Sequence, residues 1–367
     1  MPTYGTLNAD IIGNSNGMTG NAIGPGFKNR IINGAMRIDQ RNAGASVTPT
    51  DGQYVLDRFQ QLASAASKYS VQQNAGAVTP PTGFTNYLGC TSLSAYSLGV
   101  SDYFCIRQSL EGFNVADLGW GTANAKTVTL SFLVSSSLTG TFGGSFRDNA
   151  GTRSYPFTYT ISAANTWEYK TITVAGDTSG TWATNNARSI LVHWGLGVGS
   201  NGSGTAGAWN SSGSLSATGA TSVVGTNGAT FYITGVQLEV GETATSFDYR
   251  PYGTELALCQ RYYAKLFGRI GVGDCTSTTA MAAVTFFPVT MRTAPTAVET
   301  NGVAGDYLVL HSGTSTACSA VPSFSTADLN SAQTTLTVAS GLTLGRGARA
   351  GAGSSPSGSY LAWSAEL

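Results

Sequence analysis

Between Thr230 and Lys265 the sequence changes its period once, and that change divides the chain. Phe231 and Ile233 share one face of a strand. At Thr234-Gly235 the parity shifts by one residue, so that Val236, Leu238 and Val240 continue the same face while Gln237 and Glu239 point outward. One extra residue at a glycine is the mark of a β-bulge. Gly241 ends the strand, Phe247, Tyr249 and Tyr252 pin the turn that follows, and Pro251 blocks further ladder pairing. From Glu255 onward Leu256, Cys259, Tyr262, Tyr263 and Leu266 recur at three- and four-residue spacing, which predicts a short amphipathic helix over residues 255–267. A β domain closes here, and a helical joint leads into a second architecture.

Upstream, strand signals follow one another with no helical period. Val128, Leu130, Phe132 and Val134 alternate with polar residues, as do Tyr155, Phe157, Tyr159 and Ile161. Tyr103–Leu110, Phe142–Phe146, Trp167–Val174 and Ser189–Gly195 read as further strands, with Trp167 and Trp194 in the core. Arg30–Gln40 reads as an extended opening strand. Tyr54, Leu56 and Phe59 mark another, with Asp57 and Arg58 inside it expected to pair with each other. Val223-Val224 and Phe231–Ile233 flank Asn227-Gly228, a hairpin signal. About eight to ten strands before the joint describe an all-β, antiparallel jelly-roll β-sandwich. Beyond it Met281–Val289, Tyr307–His311, Thr334–Val338 and Tyr360–Trp363 are strand-like pieces between Gly/Ser/Thr turns, which makes a second, smaller β domain. The expected organisation is an N-terminal segment (1–27), the jelly roll (28–252), a helical joint (253–268) and a C-terminal β domain (269–367).

Composition narrows the function. Of 367 residues, 19 are Lys or Arg and 19 are Asp or Glu, so net charge is zero and only 10% of residues are charged, against about 25% in ordinary soluble domains. Nucleic acid is thereby excluded as a partner, since phosphate binding needs a basic footprint. Aromatic residues (10%) argue against disorder, and the 47 glycines fit many strands joined by tight turns. The five cysteines form no C-x-x-C pair, and buried free thiols are expected. Met1–Asp10 has neither a basic start nor an apolar core, so no secretion signal is expected. No apolar run approaches the roughly 20 residues of a membrane span, so no membrane insertion is expected either.

The chemistry-bearing residues do not assemble into a catalytic motif. His193 and His311 have no nucleophile elbow near them. Gly197-Val198-Gly199-Ser200-Asn201-Gly202 matches a dinucleotide fingerprint but leads into no helix, and so lacks the N-terminus that would hold a pyrophosphate. Glu111, Asp117, Asp148, Glu168 and Asp177 are scattered over separate elements, whereas glycoside hydrolysis needs two carboxylates about 5 to 10 Å apart. No catalytic residue, cofactor or metal is expected. Sugar binding is the open alternative, because an aromatic face stacks on pyranose C–H bonds. Trp120, Trp182 and Trp209 lie in loop-like sequence and are the candidates, at least one of them expected to be substantially exposed.

The run I-T-G-V-Q-L-E-V-G-x-x-A-T-x-F-x-x-R-P-Y-G-T-E-L-A-L-C-Q-R-Y-Y resembles phage tail-fibre and receptor-binding proteins, which carry a jelly-roll module similar to carbohydrate-binding modules. Asn29–Gly44 (N-R-I-I-N-G-A-M-R-I-D-Q-R-N-A-G) and Tyr54–Phe59 (Y-V-L-D-R-F) match the same group, as do the shorter F-P-V-T-M-R-T-A-P-T and terminal A-E-L. The resemblance implies a non-enzymatic virion protein, assembled in the bacterial cytoplasm, that attaches the particle to host-surface polysaccharide. A head fibre or tail-tip component using the jelly roll as scaffold is the alternative. It further implies an N-terminal segment that binds other virion proteins. A homotrimer is expected, with Leu256, Cys259, Tyr262, Tyr263 and Leu266 near the threefold axis, because a helix of about thirteen residues is marginal in water alone and must pack on something. Carbohydrate-binding jelly rolls often place an aspartate for calcium in the last strand. Here that place is Thr234-Gly235, which offers no carboxylate.

Overall fold

The computed structural model of the chain describes residues 27–352 and 358–367. The expected attachment segment, Phe27 apart, lies outside the described residues. The first domain contains β1 (Tyr54–Leu56), β2 (Phe59–Ala63), β3 (Tyr69–Gln73), β4 (Leu88–Ser92), β5 (Tyr103–Glu111), β6 (Val128–Ser136) and β7 (Gly140–Asp148). It continues with β8 (Ser154–Ile161), β9 (Glu168–Val174), β10 (Arg188–Val198), the short β11 (Ser203–Gly204) and β12 (Ser216–Ala217), and β13 (Thr230–Val240). One sheet has the order β1-β2-β5-β10-β7-β8 and the other β3-β4-β13-β6-β9, both antiparallel. Strands remote in sequence lie side by side (β5 with β10, β4 with β13), as in a jelly-roll sandwich. Alternate residues of each sheet fill one core, in which Phe132 meets Tyr159 at 5.0 Å and Trp194 at 6.0 Å between ring centres. All five cysteines are buried and free.

The bulge sits where the parity shift places it. The β13–β6 register slips between Thr234 and Gln237, and Gly235 has φ +61°. On its other edge β13 pairs with β4 only over Thr230–Ile233. Further along, the opening segment takes over that edge: Val236 N–H donates to Gly34 O (2.9 Å) and Arg30 N–H to Leu238 O (2.8 Å). This segment is not the expected strand. Asn33 and Met36 have φ of 61° and 56°, so residues 30–40 bend through turns instead of running straight. Val223-Val224 is likewise no hairpin arm; both amides donate to Leu196 O at the end of β10.

The joint differs from its expected form. Helix α1 spans Tyr252–Gln260; its Cys259, with Tyr262 just beyond its end, packs against Ile32 and Ile38 of the same chain. Tyr263, expected in the helix, begins β14 (Tyr263–Phe267), because pairing with the C-terminal strand satisfies its backbone. Cys259, Tyr262 and Tyr263 are buried within one chain, which removes them as trimer contacts, whereas Leu256 and Leu266 stay half-buried.

The C-terminal domain adds β15 (Arg269–Cys275), β16 (Ala280–Phe286), β17 (Tyr307–His311), β18 (Thr314–Ala317), β19 (Ser323–Ala327), β20 (Ser331–Thr337), β21 (Gly347–Ala352) and β22 (Tyr360–Ser364). Seven of these form the sheet β18-β17-β21-β15-β16-β20-β19, and β14 pairs with β22. Ala264, Leu361 and Trp363 of the pair share a core with Ile270, Met281 and Leu336 of the sheet.

After β22 the chain returns to the jelly roll. Glu366 ion-pairs with Arg58 and, at 3.1 Å, with Arg41; Tyr54 Oη donates to Leu367 O (2.6 Å). Arg292 holds Ala365 O and Glu366 O, each at 2.7 Å. The expected Asp57–Arg58 pair is therefore not formed, since neighbouring residues at the turn between β1 and β2 point apart. Asp57 accepts the backbone N–H of Gln40 at 2.7 Å instead. Asn29–Gly44, Tyr54–Phe59, α1 and the terminal A-E-L all meet at this joint.

Candidate functional site

The outer face of the five-stranded sheet carries an aromatic groove. Because Leu130, Phe132 and Val134 enter the core, Ser131 and Leu133 of β6 face outward, and Tyr169 of β9 lies opposite Leu133. Tyr169 is 53% exposed. Across the groove stands the turn after β13. Gln237 and Glu239 point outward, as their parity requires, but end up buried beneath that turn and hold it. Asp248 N–H donates to Gln237 Oε1 and Thr245 N–H to Glu239 Oε1, both at 2.8 Å. Phe247 and Tyr249 are thereby fixed against Phe84, with ring centres 5.1 and 5.5 Å away. Tyr249 Oη donates to Gly83 O (2.8 Å), which leaves its ring 54% exposed. The bulge contributes directly: a Cβ on Gly235 would stand 2.8 Å from the Phe84 ring, so only glycine lets this ring lie over β13.

The result is a groove of about 250 Å³ whose lining includes Phe84, Tyr169, Phe247 and Tyr249 together with Ser131, Thr245 and Ser246. Aromatic faces offer C–H stacking surface, and the hydroxyls offer hydrogen bonds to a polyol. Further along the same face, Trp167 packs on Tyr87 and Tyr232 at 5.6 and 6.4 Å. It is half-buried there rather than in the sandwich core, because it precedes β9 and its Nε1 is tied to Thr79 O at 3.0 Å.

The three loop tryptophans also come together, but as an anchor. Trp120, Trp182 and Trp209 form one edge-to-face cluster with ring centres 4.9 to 5.6 Å apart. All three indole N–H groups are donated inside the chain: Trp120 to Lys126 O, Trp182 to Asp177 Oδ2 and Trp209 to Ala175 O. Trp120 is buried and the other two are half-buried, so none is substantially exposed. Their rings pack on each other and on Phe146 and Tyr155, and so anchor the loops that carry them. Asp177 ties the cluster to Arg153. Burial opposes its charge, but hydrogen bonds from Arg153 and Trp182 and the charge of Arg153 outweigh burial and hold its carboxyl below the usual value.

The remaining acids are engaged one by one. Glu111 takes Arg261 (2.6 Å) and Tyr262 (2.5 Å), Asp117 takes Arg30 (2.7 Å) and Glu168 takes Lys170 (2.6 Å). Asp148 and Asp177 both adjoin Arg153, yet each is 1% exposed. Among the described residues no cluster of three or more His, Cys, Asp or Glu could hold a metal. His193 is fully buried on β10, with Nδ1 3.3 Å from Ser145 Oγ.

Tyr169 and Tyr249 were missed by sequence reasoning, which took tryptophans in loops as the signal. The pattern that marks Tyr169 is its place at the head of an outward row, Tyr169-Thr171-Thr173, on an edge strand.

No protein-family model matches the chain, and no curated protein matches it. Solved structures similar to part of it include the enzymatically active domain of tailspike protein 4 of bacteriophage CBA120, at 12% identity and TM-score 0.32. That likeness covers 58% of this chain but only 22% of the tailspike chain. A carbohydrate-binding module of family 4 is similar at 13% identity and TM-score 0.29, over 57% of this chain and 98% of its own. The module TmCBM61, solved in complex with β-1,4-galactotriose, is similar at 10% identity and TM-score 0.30, over 58% of this chain and 99% of its own.

Proposed function

We propose that this protein is a non-enzymatic phage virion component of the tail-fibre or receptor-binding kind, which attaches the particle to host-surface glycan. The observation that carries the reading is the open groove between Tyr169 and Tyr249: two exposed rings and three hydroxyl-bearing residues, shared between the sheet and the turn after β13. Such a groove suits a neutral or lightly charged sugar chain, and among the described residues its lining includes no acid. The stretches that resemble tail-fibre proteins build the joint and one wall of this groove, so the resemblance concerns how the binding domain is mounted. A head fibre or tail-tip part with the jelly roll as scaffold is the second reading, favoured by the ion pairs of Arg58 with Glu366 and Arg261 with Glu111 that lock the joint.

Single sugar sites are weak, and the protein gains avidity by presenting several at once on a homotrimer. Zero net charge offers little repulsion to self-association, and Val272 and Phe286 are exposed beside half-buried Leu266. Light scattering at micromolar concentration tests this, and a stable monomer of 37.8 kDa contradicts it. The glycan reading is tested by binding the full chain to host cells with purified surface polysaccharide as competitor. Binding that the polysaccharide abolishes, with no reducing sugar released, is the expected result. Release of reducing sugar, or binding indifferent to the competitor, would refute it.

A further inference from the structure

The outer face of the other, six-stranded sheet bears three arginines that form no ion pair among the described residues. One register row crosses it from Gln60 on β2 through Arg107 on β5 and His193 on β10 to Ser145 on β7. The next row contains Ser109, Leu191 and Arg147, and Arg188 opens β10 opposite Glu111. Ile106, Val192, Trp194 and Phe146 alternate with these residues and fill the core, so Arg107, His193 and Arg147 face outward. Arg107 and Arg147 are two strands apart and one row offset, about 12 Å between their Cα atoms, a span that two arginine side chains can close over one ligand group. Arg107 is 9% exposed, and Arg147 and Arg188 are half-buried.

Among the described residues none of the three takes part in an ion pair. The acids nearby are already engaged. Glu111 holds Arg261 and Tyr262, and Glu366 holds Arg41 and Arg58. Asp148, next to Arg147 but on the opposite face, accepts from Thr152 and from the backbone of Arg153. Arg107 has only a neutral acceptor, Gln60 Oε1, at 2.9 Å from its Nε. Burial first, and then the charges of Arg188 and Arg147, bring Arg107 down to about 10. Burial and the same three arginines hold His193 neutral, and its Nε2 is buried with no partner.

Like charges brought together on a partly desolvated face repel strongly unless an anion joins them. We propose that Arg107, Arg147 and Arg188 form a site for one oxyanion group, a carboxylate or sulfate, carried by a saccharide. The planar guanidinium fork matches such a group two hydrogen bonds at a time. The saccharide half of this assignment rests on the glycan reading above; the anion half does not, because the site and the tyrosine groove lie on different sheets.

Calorimetric titration of the full chain tests it with three probes: a glucuronate-containing oligosaccharide, sodium sulfate, and the host polysaccharide. The chain is expected to bind the first two, more weakly as chloride rises. R147Q/R188Q, two half-buried positions, should lose at least about tenfold in affinity for both, about 1.4 kcal/mol, with an unchanged unfolding midpoint. Y169A should leave sulfate binding intact. Equal binding of the acidic probes by the wild type and R147Q/R188Q overturns the site. Failure of both acidic probes while host polysaccharide binds through the groove also overturns it, and leaves the glycan reading standing. Arginine-dependent sulfate binding with no saccharide bound supports the anion site and removes the glycan reading.

Discussion

The guanidinium of Arg58 lies 3.6 Å from the centre of the Tyr262 ring, so that the turn after β1 and the link from α1 to β14 are stacked on one another. Glu366 closes the arrangement from the far end of the chain, with Arg58 1% and Glu366 7% exposed. Three segments separated by hundreds of residues thus share one buried charge cluster. The two β domains are therefore expected to unfold together rather than in sequence.

Removing Glu366 leaves Arg58 charged, buried and unpaired. Breaking such a pair from one side costs about 3–5 kcal/mol. E366A should lower the urea midpoint accordingly and split the transition into two, while E366Q, which keeps the shape and one acceptor, should lose less. An E366A chain within about 0.5 kcal/mol of wild type would show that the joint is not coupled through this residue.

Asp57 gives the joint a pH dependence of definite sign. Burial is the largest influence on its carboxyl and raises it to about 6, although Arg41 and hydrogen bonds from Gln40 pull the other way. A folded-state value above the unfolded one means that the native state binds the proton more tightly. Its contribution is full below the unfolded value near 4 and is lost as pH rises through about 6. Relative to D57N, the wild type should lose up to about 3 kcal/mol between pH 4 and 7. Parallel stability curves for the two proteins would rule this out.

The bulge at Gly235 should not tolerate a side chain. Its φ of +61° strains any L-residue, and an added Cβ would stand 2.8 Å from Phe84. G235A is expected to cost about 1–3 kcal/mol and to displace the Phe84 ring, which weakens polysaccharide binding as well. Unchanged affinity with Phe84 moved would mean that this wall of the groove is not used.

Much of this fold was legible in the sequence. Period-two alternation identified β6, β8 and β13, and the parity shift located the bulge, because one face of each strand had to be apolar. The opening segment misled because Ile31, Ile32, Met36 and Ile38 are all buried, yet they reach their sites through left-handed turns at Asn33 and Met36. In the C-terminal domain β15 and β21 (R-I-G-V-G-D-C and G-A-R-A-G-A) were hidden because their alternate positions carry glycine and alanine, too small to stand out as an apolar period. Long-range partners were illegible in principle. Nothing near Arg58 in sequence points to Glu366, and nothing near Trp120 points to Trp182 and Trp209. The groove escaped notice for the same reason, since Tyr169 and Tyr249 meet only across the sheet.

The central claim is that the groove, and not the tryptophan cluster, holds the glycan. Affinity for immobilised host polysaccharide, measured for Y169A/Y249A and for W182A/W209A at equal protein concentration, tests it most directly. The tyrosine pair should lose at least about tenfold and stay folded, with a smaller drop in melting temperature than the tryptophan pair, because both rings are more than half exposed. The tryptophan pair should keep its affinity and melt earlier, because it loses the anchor of its loops. Wild-type affinity in the tyrosine variant, with binding lost in a still-folded tryptophan variant, would contradict the account.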